Sequence, residues 1–252
     1  MTEKLDGAKI KLTLAYDGSD FHGWQVQPGV RTVEGELNKC LSELLGTEVQ
    51  VIGASRTDAG VHAMGNLAVF DTEGNIPAEK FAYALNCKLP SDVKVQKSEE
   101  VAADFHPRKC NSVKTYEYHI DCGEFPMPIN GRYAYYTYHN PDVELMREAA
   151  KYIVGEHDFK SFCSVHTQAE TTVRTVYSVD VEQMDREIVI RVSGSGFLYN
   201  MVRIIAGTLL DAGMGKFAPS KVAWMIEQCD RTVAGPTLPP EGLRLCGIEI
   251  KG

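Results

Sequence analysis

Residues Gly196 to Leu210, GFLYNMVRIIAGTLL, restrict the fold more than any other stretch of this chain. They predict a helix over about 197–212 carrying a single charge, Arg203, in its first half. Met201, Val202, Ile204 and Ile205 surround that charge, so every face of the turn is apolar and the helix belongs inside. Arginine cannot relieve burial by losing its proton. A guanidinium left buried and unpaired costs several kcal/mol, on the order of 3–5. Arg203 therefore calls for an anion, either as a stabilising ion pair of the interior or as part of a site.

The rest of the chain mixes strands and helices. Ile10, Leu12, Leu14 and Tyr16 alternate with Lys11, Thr13 and Ala15, the period of a half-buried strand over 9–16. Thr32 suits the cap of a helix with Val33, Leu37, Cys40, Leu41, Leu44 and Leu45 on its apolar face, and Gly46 suits its stop. A strand near 48–53, its return at 65–71, a helix begun by Pro77 and a strand near 92–101 follow. A strand then runs through KTYEYHI, and 121–141, rich in Pro, Gly and Tyr, reads as irregular. Beyond it come a helix at 142–154 ended by Gly155, strands near 173–182 and 187–193, the apolar helix, another helix near 219–229, and a last strand at 243–250. The hairpin-like pairs favour antiparallel sheets. The expectation is an α+β protein of two related halves, 1–105 and 142–252, joined by a connecting strand and irregular segment over 106–141.

Composition narrows the function. The net charge of -8 argues against a protein that coats nucleic acid nonspecifically, although it leaves a local basic cleft open. The polar start, MTEKLDGAKI, has no signal-peptide core, and no segment is long and apolar enough to span a membrane. Seven scattered cysteines without a C-x-x-C pair read as reduced thiols of a cytosolic protein. His22, His62, His106, His119, His139, His157 and His166 show no metal spacing, and His62 reads as structural. With no P-loop and no G-x-G-x-x-G, nothing asks for a nucleotide cofactor.

The candidate chemistry centres on GASRTDAGVHAMGN, Gly53 to Asn66. Asp58, ahead of Ala59 and Gly60, reads as a turn residue bonding its own backbone, or as a nucleophile or general base on a rigid loop. It is also the attractive partner for Arg203, which would keep it ionised. Lys114, Tyr116 and Tyr118 share one strand face, either as core packing or as a ring platform with a phosphate-binding lysine. Arg31, Arg56, Arg108, Lys109, Lys114 and Arg174 are each ordinary surface cations, or together the lining of one basic groove for a polyanion.

YDGSDFHGWQVQPGVRTVEGEL, GASRTDAGVHA, KTYEYHI, GEHDFKSF, RTV at 174–176 and GFLYNMVRIIAGTLL occur in the order found in tRNA pseudouridine synthases of the TruA family, and the resemblance covers nearly the whole chain. It implies two α+β halves whose mostly antiparallel sheets join into one around a central cleft. It implies a cofactor-free isomerase, acting as a homodimer on uridines 38, 39 and 40 of the tRNA anticodon stem-loop, with neither DNA nor membrane as partner. By the resemblance, Asp58 is the catalytic aspartate, Tyr116 stacks on the target base, Arg203 pairs with the aspartate, and Arg56 fills the space of the flipped nucleotide. Val26, where the family often has a basic residue, and Ser55, where it often has glycine, depart from the pattern. The serine matters only if the backbone there needs φ > 0. A tRNA-binding chaperone without catalysis and an N-glycosidic hydrolase are the rival readings. The hydrolase would want a second acid near the first, and Gly53–Asn66 holds none.

Overall fold

The computed structural model describes residues 7–165 and 169–251; residues 1–6 of the polar start and His166 lie outside the described residues. In chain order the elements are β1 (Ala8–Tyr16), α1 (Val33–Leu45), β2 (Ile52–Gly53), β3 (His62–Thr72), α2 (Phe81–Asn86), β4 (Val93–Val101), β5 (Ser112–Cys122), β6 (Tyr135–Thr137), α3 (Val143–Ala150), β7 (Gly155–Asp158), β8 (Val173–Met184), β9 (Glu187–Gly194), α4 (Met201–Gly213), α5 (Lys221–Glu227) and β10 (Leu243–Ile250). The chain divides into two compact units, one of residues 1–111 with 245–252, the other of 112–244. β5, expected within a connecting segment, belongs to the second unit. No helix among the described residues is long and apolar enough to cross a membrane.

In the first unit the strands lie in the order β4-β1-β3-β10. β1 is paired antiparallel along both edges, Leu12 opposite Ala68 on one side and Ser98 on the other. Its buried residues are the alternating Ile10, Leu12, Leu14 and Tyr16 of the sequence pattern. α1 begins and ends at the predicted caps: Thr32 Oγ1 accepts from the Gly35 amide at 3.3 Å, and Gly46 has φ 70°. The strand predicted near 48–53 shrinks to Ile52–Gly53. The Val49 amide donates to Ser42 Oγ and the Val51 amide to Asn38 Oδ1, both at 2.9 Å, so side chains of α1 satisfy the hydrogens that a longer ladder would use. The helix predicted from Pro77 opens as a 3-10 turn, Ala78–Lys80, before α2.

In the second unit the order is β5-β9-β8-β7, all antiparallel. β6, inside the stretch predicted to be irregular, pairs parallel with β5 through Ile120 and Tyr135. β7 carries Gly, Glu, His and Asp, and has no apolar alternation to announce it. α3 starts at an Asp142 cap that accepts from the Glu144 and Leu145 amides, and stops at Ala150, short of the predicted 154. α4 begins four residues later than expected. Asn200 sits in the left-handed region at φ 61°, where asparagine is tolerated and a helix cannot continue. Its Nδ2 donates to Ser164 Oγ and its Oδ1 accepts from Arg203 Nη1 at 2.7 Å, which holds the turn ahead of the helix.

Candidate active site

Asp58 follows strand β2 on a loop anchored on both sides. Thr57 before it and Val61 after it are buried, while Asp58 itself is half-buried and Arg56 is exposed. A turn closes behind the carboxylate: the Val61 amide donates to the Asp58 carbonyl at 3.1 Å, with Gly60 at φ 79°. The Thr57 carbonyl accepts from the Trp24 amide at 3.0 Å, and the Gly60 amide donates to the Phe21 carbonyl at 3.3 Å. The YDGSDFHGW segment thus forms one wall of the loop. That wall needs Gly23: its φ is 84°, and a Cβ there would lie 2.8 Å from the Thr57 carbonyl oxygen. Ser55 is absent from the non-glycine residues with positive φ, so its replacement of glycine brings no backbone strain. Val26 is exposed, on a backbone whose amide donates to Glu34 Oε2.

Beneath the loop lies a buried polar cluster that the sequence did not reveal. Asn66, fully buried on β3, donates from Nδ2 to the Ser55 carbonyl at 2.9 Å and to the Tyr16 hydroxyl at 3.1 Å. Its Oδ1 accepts from the Ser55 and Leu67 amides. The Tyr16 hydroxyl lies 2.7 Å from Thr57 Oγ1. Only the apolar alternation of β1 flagged Tyr16, and nothing flagged Asn66. His62, read as structural, accepts from the Gly18 amide at Nδ1, 3.0 Å away.

The remaining candidates in the second unit are Lys114, Tyr116, Arg174 and Arg203. Tyr116 is buried on β5 and meets Phe197 edge-on, with ring centroids 5.3 Å apart. Tyr118, on the same face, is a core residue: its hydroxyl donates to the Pro239 carbonyl at 2.7 Å, and burial pushes its ionisation well above the ordinary phenol value. Lys114 is half-buried. Arg203 is half-buried too, where its apolar neighbours implied full burial, and Met201, Val202, Ile204 and Ile205 are buried as expected. Its Nε donates to the Leu238 carbonyl at 2.6 Å and its Nη1 to Asn200, so neutral oxygens meet part of its demand. Arg174 donates to the Thr171 and Val173 carbonyls, and burial lowers its pKa.

The first unit's basic candidates differ from one another. Arg108 and Lys109 are exposed. Arg31 is committed elsewhere: Nη1 and Nη2 grip Asp92 at 2.6 and 3.0 Å, Nε donates to Glu36 at 2.7 Å, and the guanidinium lies over the Phe21 ring. Every guanidinium nitrogen is taken by a carboxylate, and the pKa rises accordingly, chiefly through Asp92. Arg31 is thus an internal brace, its guanidinium held between two carboxylates.

The reverse face of β5 carries a second cluster that pattern reading missed. Glu117, buried behind Tyr116, accepts from Arg191 at 2.9 and 2.6 Å, from Arg244 at 2.9 and 2.5 Å, and lies 3.2 Å from His119 Nε2. Burial alone would raise its pKa; the two guanidinium groups outweigh this and hold it at about 2. The sequence showed these only as three charged residues far apart in the chain.

Comparison with known proteins adds the family. A family model described as tRNA pseudouridine synthase matches residues 13–108 and 149–249. The first segment contains Arg31, Arg56, Asp58 and Arg108, the second Arg174 and Arg203; Lys109, Lys114 and Tyr116 fall between them. A Brevibacillus brevis protein named tRNA pseudouridine synthase A is 46% identical over 237 residues, covering 94% of this chain and 97% of that protein. A Bacillus subtilis protein of the same name is 46% identical over 242 residues, covering 95% and 98%. Among solved structures, a chain of an archaeal box H/ACA sRNP Nop10-Cbf5 complex aligns at TM-score 0.32 and 11% identity over 94% of this chain and 46% of that one, too weak a likeness to bear weight.

Proposed function

We propose the reaction of this chain from one premise: it belongs to the tRNA pseudouridine synthase family. On that premise it isomerises uridine to pseudouridine in tRNA. The substrate segment is the anticodon stem-loop, at tRNA positions 38, 39 and 40, and the working form is a cytoplasmic homodimer with one tRNA touching both subunits. The bond from C1′ to N1 breaks, the ring turns, and C1′ joins C5. N1 gains a proton and C5 loses one, so the change is an isomerisation with no redox partner.

The target nucleotide leaves the stack at a cost of a few kcal/mol. Arg56, exposed beside the loop, takes the vacated space, and Tyr116 holds the extruded ring. Asp58 acts as a carboxylate on the ribose or the base, kept ionised by Arg203. Lys114, Arg108, Lys109 and Arg174 contact the RNA backbone.

The observation that carries this reading is the presentation of Asp58. A half-buried carboxylate stands on a turn between Thr57 and Val61, both buried and hydrogen-bonded, which is the rigidity that a group aimed at one atom needs. Asp58→Asn keeps the shape and removes the charge. It abolishes tritium release from [5-3H]uridine-labelled tRNA while tRNA binding persists; turnover near the wild-type rate refutes the assignment. Free uracil among the products would instead favour hydrolysis.

A further inference from the structure

We propose that Asn66, Tyr16 and Thr57 form a hydrogen-bond relay that positions Asp58 and Arg56 for turnover, an inference that rests on the catalytic reading of Asp58. The argument is one of donor and acceptor counting. Asn66 has two amide hydrogens and two carbonyl lone pairs, and all four are used. Nδ2 donates to the Ser55 carbonyl and the Tyr16 hydroxyl, and Oδ1 accepts from the Ser55 and Leu67 amides. The flipped amide would set its hydrogens against two N–H donors, so the orientation is fixed. An NH2 group can only donate, so the phenol oxygen of Tyr16 is the acceptor there. The same oxygen lies 2.7 Å from Thr57 Oγ1, a hydroxyl pair in which either can donate.

The bonded chain runs from Asn66 on β3 through Tyr16 on β1 to Thr57 on the loop. It holds Ser55 by both its amide and its carbonyl. It holds Thr57 by its side chain, while Trp24 holds the Thr57 carbonyl. Arg56 stands between these two pinned residues and Asp58 comes directly after them. One buried amide thus sets the backbone that aims both side chains. Asn66, Tyr16 and Thr57 are all buried, where an unbonded polar group is costly, and each of the three side chains is hydrogen-bonded. None of the three needs to touch the substrate; they are positioning residues.

Tyr16→Phe and Thr57→Val each delete one side of the phenol–hydroxyl bond with little change of shape, and Tyr16→Phe keeps the ring near Trp24. Asn66→Leu is the larger perturbation and endangers folding, so the test uses the other two. At saturating tRNA, well below the melting temperature, Thr57→Val lowers kcat about tenfold, the worth of one hydrogen bond, Tyr16→Phe lowers it at least as much because it also takes the acceptor from Asn66 Nδ2, and both leave KM within about twofold. The double variant is no slower than Tyr16→Phe alone, because Thr57→Val then removes no bond that is still made. Thr57→Ser, which retains Oγ, restores kcat. A purely structural cluster would lower the melting temperature and leave kcat at wild type, and that result overturns the relay. Multiplicative losses in the double variant, about a hundredfold, also overturn it. Asp58→Asn run alongside separates the two claims. If it is inactive while the relay variants are unimpaired, only the relay fails; if it is active, the catalytic reading fails and takes the relay with it.

Discussion

Replacing Glu117 with glutamine removes one negative charge and almost no volume from the reverse face of β5. Two arginines and His119 converge on that carboxylate, whose side chain is 8% exposed. Its pKa falls from 4.5 to about 2 despite burial, which acts in the opposite direction. That difference between folded and unfolded states corresponds to roughly 3 kcal/mol. The partners' side chains are 47% and 37% exposed, so solvent takes back part of what they lose, and about 2–3 kcal/mol is the expected cost at pH 7. For a chain of this size that is a fall in melting temperature of about 4–12 °C. The sign of the pH dependence follows from a depressed carboxylate: the contribution is complete above 4.5 and is lost as pH falls toward 2. Urea unfolding of wild type and Glu117→Gln between pH 7 and pH 3.5 reads it directly. The gap between the two should be widest at pH 7 and should narrow below about pH 4.5. A gap under about 0.5 kcal/mol at pH 7, the size of an ordinary surface change, refutes the reasoning, as does a gap that widens with acid.

Two further outcomes follow from the same geometry. Gly23→Ala places a Cβ 2.8 Å from the Thr57 carbonyl at a φ of 84°, so it should destabilise by about 1–3 kcal/mol and lower kcat by shifting the loop; an unchanged melting curve would show that the wall yields freely. Arg31→Met breaks the grip on Asp92 and Glu36 and should cost about 1 kcal/mol of stability while tRNA affinity in a filter-binding assay stays within about twofold. A tenfold loss of affinity at unchanged stability would return Arg31 to the RNA-contacting residues.

What the sequence determined by itself is what near neighbours in the chain decide. The period-two run of β1, the Thr32 and Gly46 caps of α1 and the final strand at 243–250 were legible because alternation, side-chain capping and positive φ act over a few residues. The turn at Asp58–Val61 was legible for the same reason: turn chemistry acts within one short stretch. Local rules failed wherever a distant group supplied the missing hydrogen bond. Asn38 and Ser42 replaced part of a strand at 48–53, and Asn200, bonded to Ser164, delayed the start of α4. Arg31 looked like any surface cation until Asp92, sixty-one positions away, closed on it. Asn66 and Glu117 carried no signal, because a lone asparagine in a strand and a lone glutamate in a strand are ordinary until the partners are known. Only the tertiary structure decided which polar groups are buried together, since that depends on which strands become neighbours and not on what any one strand contains.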